Sequence, residues 1–172
     1  GPQGIMAFND YDKGLAYAKK VGKPVVIDFT GKACVNCREM EQAVWSDPVI
    51  KNILKNDVVL ISLYVDLKTK LPKEDQYETT LAGKTKKVRT IGDQWMVLQA
   101  NTYGTNSQPY YVFLNHEEET LVENANYQDY SVGLRGANGY TERIEKTSSS
   151  VLLTNATYSL CPINENDWLI EA

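Results

Sequence analysis

Hydrophobic positions along this chain switch between a helical and a strand-like rhythm. In "FNDYDKGLAYAKKVGKP" the apolar Tyr11, Leu15 and Ala18 fall on one helical face, with Asn9 or Asp10 as N-cap, acids Asp10 and Asp12 in the first turn, and Lys19 and Lys20 in the last. That charge order complements the helix dipole, and Gly22 and Pro24 close the element. "PVVIDFT" is apolar at almost every position, as a strand covered on both faces requires, and Asp28 is the exception. From Cys34 to about Lys55 the helical period returns, with Met40, Val44, Ile50 and Leu54 as expected core contacts. Pro48 lacks an amide proton and must break or kink that helix. A second central strand is expected over Val58 to Asp66, so strand, helix and strand follow one another as in a parallel α/β sheet with helices on its faces.

Residues 67–90 interrupt the pattern. "QYETTLAGKTKKVRT" alternates around Gly83 as a hairpin would, but we read the lysine-rich stretch as a solvated loop excursion. "IGDQWMVLQANTYG" is expected as a helix ending at Gly104, and "SQPYYVFLNHEEETLVEN" as two strands joined by an acidic turn around His116 to Glu119. After Tyr130 the pattern deteriorates into Gly, Ser and Asn clusters, with only "SSVLLT" and "DWLIEA" as short elements. The expected organisation is one domain over 8–130, carrying the 67–90 insertion, and an irregular C-terminal extension over 131–172. The opening "GPQG" is set aside as a linker or cloning scar.

Composition narrows the partners. A chain of 172 residues, 42% hydrophobic and 23% charged, suits one globular core. A net charge of -4 argues against a nucleic-acid surface, which needs a dense basic face. Apolar runs fall well short of the roughly 20 residues that cross a bilayer. We therefore expect a soluble piece, compatible with excision from a longer exported or membrane-attached protein.

Three cysteines, Cys34, Cys37 and Cys161, are too few for a disulfide-stapled fold. Cys34 lies where a strand gives way to a helix, so its sulfur can face unpaired amides and the positive end of the helix dipole, which stabilise thiolate over thiol. Cys37, one turn on, is placed to resolve a mixed disulfide formed at Cys34. Zinc uses the same Cys-X-X-Cys spacing but needs about four ligands, and only Cys161 and His116 are left to supply them. Copper requires only two thiolates and stays open as an alternative. Two acids sharpen the redox reading. Asp28 is a carboxylate in an apolar strand, and Glu41 lies four residues after Cys37 on the same helical face, so either can exchange the Cys37 proton. Pro109 heads a strand after the polar Gln108, a setting that suits a cis peptide and leaves the Gln108 backbone available to an extended substrate.

These residues resemble the thioredoxin superfamily: "VVIDFTGKACVNC" has its strand, buried acid and helix-opening cysteine pair, and "SQPYYVFLN" its cis-proline strand. "DFTGKACVNCREMEQAVWSDPVI" is more closely similar to the C-terminal periplasmic domain of the DsbD family of transmembrane thiol:disulfide reductases. The resemblance implies an α/β thioredoxin-like fold, with a central mixed sheet flanked by helices, and a catalytic set of Cys34, Cys37, Asp28 and Glu41. Gln108 and Pro109 would bind substrate, and no cofactor or metal is needed beyond the cysteine pair. It also implies a periplasmic domain that takes electrons from a membrane-embedded donor domain and reduces oxidised periplasmic proteins, as in cytochrome c biogenesis. The weighed alternative is a non-catalytic module of the same fold that binds copper or a client protein. The 67–90 insertion and the missing C-terminal amphipathic helix depart from the family pattern.

Overall fold

The computed structural model describes residues 1–127. Cys161 and the 131–172 extension lie outside the described residues. Helix α1 (Tyr11–Val21) starts at Asp10, whose carboxylate accepts from the Lys13 amide, and ends at Gly22 in the left-handed region. Strand β1 (Val25–Thr30) is buried throughout. The expected helix over 34–55 is two: α2 (Val35–Ala43) and α3 (Pro48–Asn56), the second opened by Pro48 in its first turn and capped by Asp47. Strand β2 (Val59–Tyr64) follows, trimmed at both ends relative to the expected span.

The 67–90 segment corrects the loop reading, because it contains an antiparallel hairpin, β3 (Tyr77–Leu81) and β4 (Lys84–Val88). Its two-residue turn, Ala82 and Gly83, takes φ of 49° and 75°, the doubly left-handed geometry that matches strand twist. Period-2 alternation was the signal; the lysines obscured it. Helix α4 (Ile91–Tyr103) starts in a Thr90–Asp93 capping box and ends at Gly104. Gly92 lets it approach the end of β2, since a Cβ there would lie 2.6 Å from both the Leu67 nitrogen and the Val65 oxygen.

Strand β5 (Tyr110–Leu114) runs antiparallel to β1, and β6 (Ala125–Asn126) to β5, giving a mixed sheet of order β2-β1-β5-β6. The return strand expected after the acidic turn is broken: Thr120 bridges Leu114, and regular pairing resumes only at Ala125. "GPQG" is not outside the fold. Pro2–Gly4 form a 3-10 turn, the Gln3 amide donates to the Glu41 carbonyl, and the next residue, Ile5, is wholly buried.

Sheet parity divides the core. Val25, Ile27, Phe29, Ile61, Leu63, Val112 and Leu114 pack with Ala18 of α1 and Trp95 of α4. Val26, Leu60, Tyr111 and Phe113 pack on the other face with Met40, Ile50 and Leu54 of α2 and α3. Asp28 shares the parity of Val26, so the one carboxylate in β1 is directed into the layer under α2.

Candidate functional site: a disulfide at a helix N-terminus

The loop Gly31–Ala33 carries the chain from β1 to the N-cap of α2, which is Cys34. Cys34 and Cys37 form a disulfide with an S–S distance of 2.03 Å, and the Cys37 amide donates to the Cys34 sulfur at 3.2 Å. Cys34 is partly exposed, whereas Cys37 is 1% exposed. When the bond opens, the sulfur left facing solvent is therefore also the one at the positive end of the helix.

Both candidate acids are buried, Asp28 on β1 and Glu41 on α2. Asp28, 2% exposed, accepts one hydrogen bond from the Ser62 hydroxyl, at 3.2 Å, across the β1–β2 register. Loss of water, with the nearby Glu41 charge adding to it, pushes its carboxyl up to about 7, against the pull of the Ser62 bond and of Arg38. Glu41 is buried on α2 and raised by that burial, with the Arg38 charge opposing.

Arg38 was missed as a site residue from sequence. Its guanidinium pairs with Glu41 at 2.9 Å and donates to Thr30 Oγ1 and to the Gly31 carbonyl, both at 3.2 Å. The three-residue Arg–Glu spacing on one helix was the available signal. Asp66 was missed too. Burial raises its carboxyl, but the amides of Ala33 and Lys32, which donate to it at 3.0 and 2.9 Å, outweigh that and hold it below the ordinary range. Lys32 sits over the Tyr64 ring, 4.0 Å from its centre. The loop before Cys34 is thus held by Arg38 on one side and Asp66 on the other.

The Gln108–Pro109 peptide is cis and Pro109 is buried. Tyr110 is level with Phe29 in the β1–β5 register, so one further step sets Pro109 level with Thr30, at the end of the sheet from which the Cys34 loop leaves. Gln99 of α4, 0% exposed, holds this turn: its Nε2 donates to the Ser107 carbonyl and its Oε1 accepts from Gln108 Nε2, each at 2.8 Å. Among the described residues, none hydrogen-bonds to the Gln108 backbone. Sequence reasoning passed over Gln99, although it follows Trp95 by four residues on a buried helix face. His116, by contrast, is far from the sulfurs, with Nε2 2.9 Å from the Lys23 carbonyl at the opposite end of β1. Among the described residues no three His, Cys, Asp or Glu side chains gather around a metal position.

A helix-capping disulfide, buried acids on the adjoining strand and helix and a cis-proline turn at the same sheet end define a thioredoxin-like protein with a thiol–disulfide exchange centre. The chain belongs to the thioredoxin-like family, whose model matches residues 5–116. It is similar to the thiol:disulfide interchange protein DsbD of Salmonella typhi, 39% identical over 56 residues, which is 33% of this chain and 10% of that protein. The DsbD of Ralstonia nicotianae is 34% identical over 59 residues, 34% of this chain and again 10% of the relative. The matched stretch thus spans about a tenth of these relatives. Among solved structures, a DsbH oxidoreductase superposes with a TM-score of 0.57 at 17% identity, covering 86% of this chain and 88% of that one. A thioredoxin from Thermus thermophilus gives 0.53 at 21%, covering 83% and 86%. These two likenesses establish the shared fold.

Proposed function

We propose that this chain is a protein-disulfide reductase. In this reading it is the periplasmic domain of a membrane protein, receiving electrons from a membrane-embedded donor domain and delivering them to oxidised periplasmic proteins, as in cytochrome c biogenesis. The observation that carries the reading is the Cys34–Cys37 disulfide at the α2 N-terminus, and the burial of Asp28 and Glu41 supports it. The DsbD similarity supports the periplasmic and membrane-partner parts. Among the described residues no helix is long and apolar enough to cross a membrane, so electrons would arrive from outside this stretch.

In the reduced state the Cys34 thiolate attacks one sulfur of the client disulfide. That bond breaks, and the departing client thiolate takes a proton. Cys37 then gives its proton to the ionised carboxylate of Asp28 or Glu41 and attacks the Cys34 sulfur, and the second client sulfur leaves as a thiolate that takes up that proton in turn. Two electrons have passed to the client and Cys34–Cys37 is a disulfide again; a dithiol donor restores it by the reverse exchange. Only the two sulfurs carry electrons, so the proposed reaction uses no further cofactor. Gln108 and Pro109 would seat the client chain, whose backbone can pair with the open Gln108 edge.

The test is trapping. A Cys37→Ser variant should accumulate mixed disulfides through Cys34 with a disulfide-bonded protein, and reduced Cys34 should react with iodoacetamide at neutral pH faster than an unfolded cysteine. A variant that binds clients or copper without forming mixed disulfides would overturn the reading in favour of a non-catalytic module.

A further inference from the structure

We propose that the 67–90 hairpin is a basic docking arm that recruits an acidic, disulfide-bearing protein to the Cys34–Cys37 site; this rests on the exchange reading of that site. Charge is the first observation. Residues 67–90 hold seven Lys and Arg against three Asp and Glu, while the rest of the chain holds eleven against nineteen. An acidic protein thus carries one compact positive segment, and Lys70, Lys73 and Lys84 in it are exposed and make no ion pair among the described residues.

Placement is the second. The segment leaves β2 through Asp66, whose carboxylate accepts from the Lys32 and Ala33 amides of the loop entering Cys34. Its two stems are tied together by the Lys70–Thr90 bridge and by bonds from the Leu71 amide to the Arg89 carbonyl and the Ile91 amide to the Thr69 carbonyl. The arm therefore stands on the same sheet end as the disulfide. Rigidity is the third: Val88 of β4 is buried, and Lys86 pairs with Asp93 of α4 at 2.7 Å, so β4 is anchored to the body.

A protein fits this arm better than a lipid surface does. Tyr77 is its one exposed large hydrophobic side chain, and a membrane-binding face needs an apolar stripe. Exposed lysines beside a reaction centre act mainly by steering encounter, so the effect belongs in kcat/KM and should fade with salt.

Two peptides with the same disulfide, one flanked by four Glu and one by four Lys, serve as probes, and hydroxyethyl disulfide as the uncharged control. At an ionic strength of roughly 0.01 M, wild-type protein should prefer the Glu peptide by about tenfold in kcat/KM, and by little near 1 M. Lys70→Glu/Lys73→Glu/Lys84→Glu should invert the preference and the corresponding triple Gln variant should flatten it, with hydroxyethyl disulfide turnover unchanged in both. Equal use of the two peptides by wild type, or an unaltered preference in both variants, overturns the docking arm alone. So does lysine-dependent binding to phosphatidylglycerol vesicles without any peptide preference. Failure of wild type to reduce hydroxyethyl disulfide overturns the exchange reading, and this inference with it.

Discussion

Asp28→Asn should stabilise the oxidised protein in alkaline solution and leave it little changed in acid. An aspartate has an ordinary pKa of 3.8, and burial with the Glu41 charge raises Asp28 to about 7. Between those values the folded state binds more protons than the unfolded state, so stability falls as pH rises through that window. Below it the carboxyl is neutral in both states and costs nothing electrostatic. Above it the folded protein must hold an ionised carboxylate out of water, at a cost of about 4 kcal/mol from the size of the shift. Asparagine mimics the neutral acid and can still accept the 3.2 Å bond from Ser62. Urea unfolding of wild type and variant, both oxidised, at pH values near 4 and 8.5 reads the effect of Asp28 together with its coupling to Glu41, because the titrating groups that do not interact with Asp28 cancel in the difference. The expected gain from the substitution is near zero in acid and up to about 4 kcal/mol in base. A gain that is the same at both pH values would refute the claim that Asp28 is held neutral by burial.

Other outcomes follow from the same contacts. Arg38→Met removes the charge paired with Glu41 at 2.9 Å and the donor to Gly31. Because the guanidinium is partly exposed, the loss should be about 1–2 kcal/mol in urea unfolding, and the pH profile of exchange should move upward as both acids lose their counter-charge. Gln99→Leu leaves the Ser107 carbonyl without its side-chain donor and the Gln108 amide with only its 3.5 Å bond to Asn106 Oδ1, which should cost about 1–3 kcal/mol and raise KM for a peptide disulfide while sparing hydroxyethyl disulfide turnover. Gly92→Ala should cost about 1–3 kcal/mol or more, read as a lowered unfolding midpoint, because its Cβ would meet backbone rather than a yielding side chain.

Legibility in the sequence followed burial. β1 and β2 were plain because central strands are apolar on both faces, and the pair Cys34–Cys37 was plain because a helix start was punctuated around it. Asp28 was readable for the same reason inverted: a charge in an apolar strand has to be explained. Gln99 carries the identical signal in a helix, a polar group on the face of Trp95, and escaped notice because glutamine is common in helices. Arg38 and Asp66 were not readable as a pair of clamps, since their partners are backbone groups of a loop whose path only the folded chain defines. The hairpin was half legible: its alternation was visible, but seven cations in the 67–90 segment made solvation look sufficient.

The hydrogen bonds that hold the redox loop do not, with one exception, involve sulfur. Asp66 takes the Lys32 and Ala33 amides, and Arg38 takes the Gly31 carbonyl and the Thr30 hydroxyl; only the Cys37 amide reaches a sulfur atom. Opening the disulfide breaks none of these side-chain supports, so the two oxidation states are expected to differ mainly in charge at one helix end rather than in backbone path. That charge appears above two carboxyls already crowded in a dry layer, where a second anion is costly. Formation of the Cys34 thiolate and neutrality of Asp28 are therefore expected to be coupled, each favouring the other. The coupling gives an expected outcome in solution. The reduction potential of Asp28→Asn should change with pH less steeply than that of wild type on crossing pH 7, because the variant has lost the group that takes up the compensating proton. Equilibrium titration against glutathione on both sides of pH 7 measures it, and superimposable slopes for the two proteins would show that the acid and the sulfurs titrate independently.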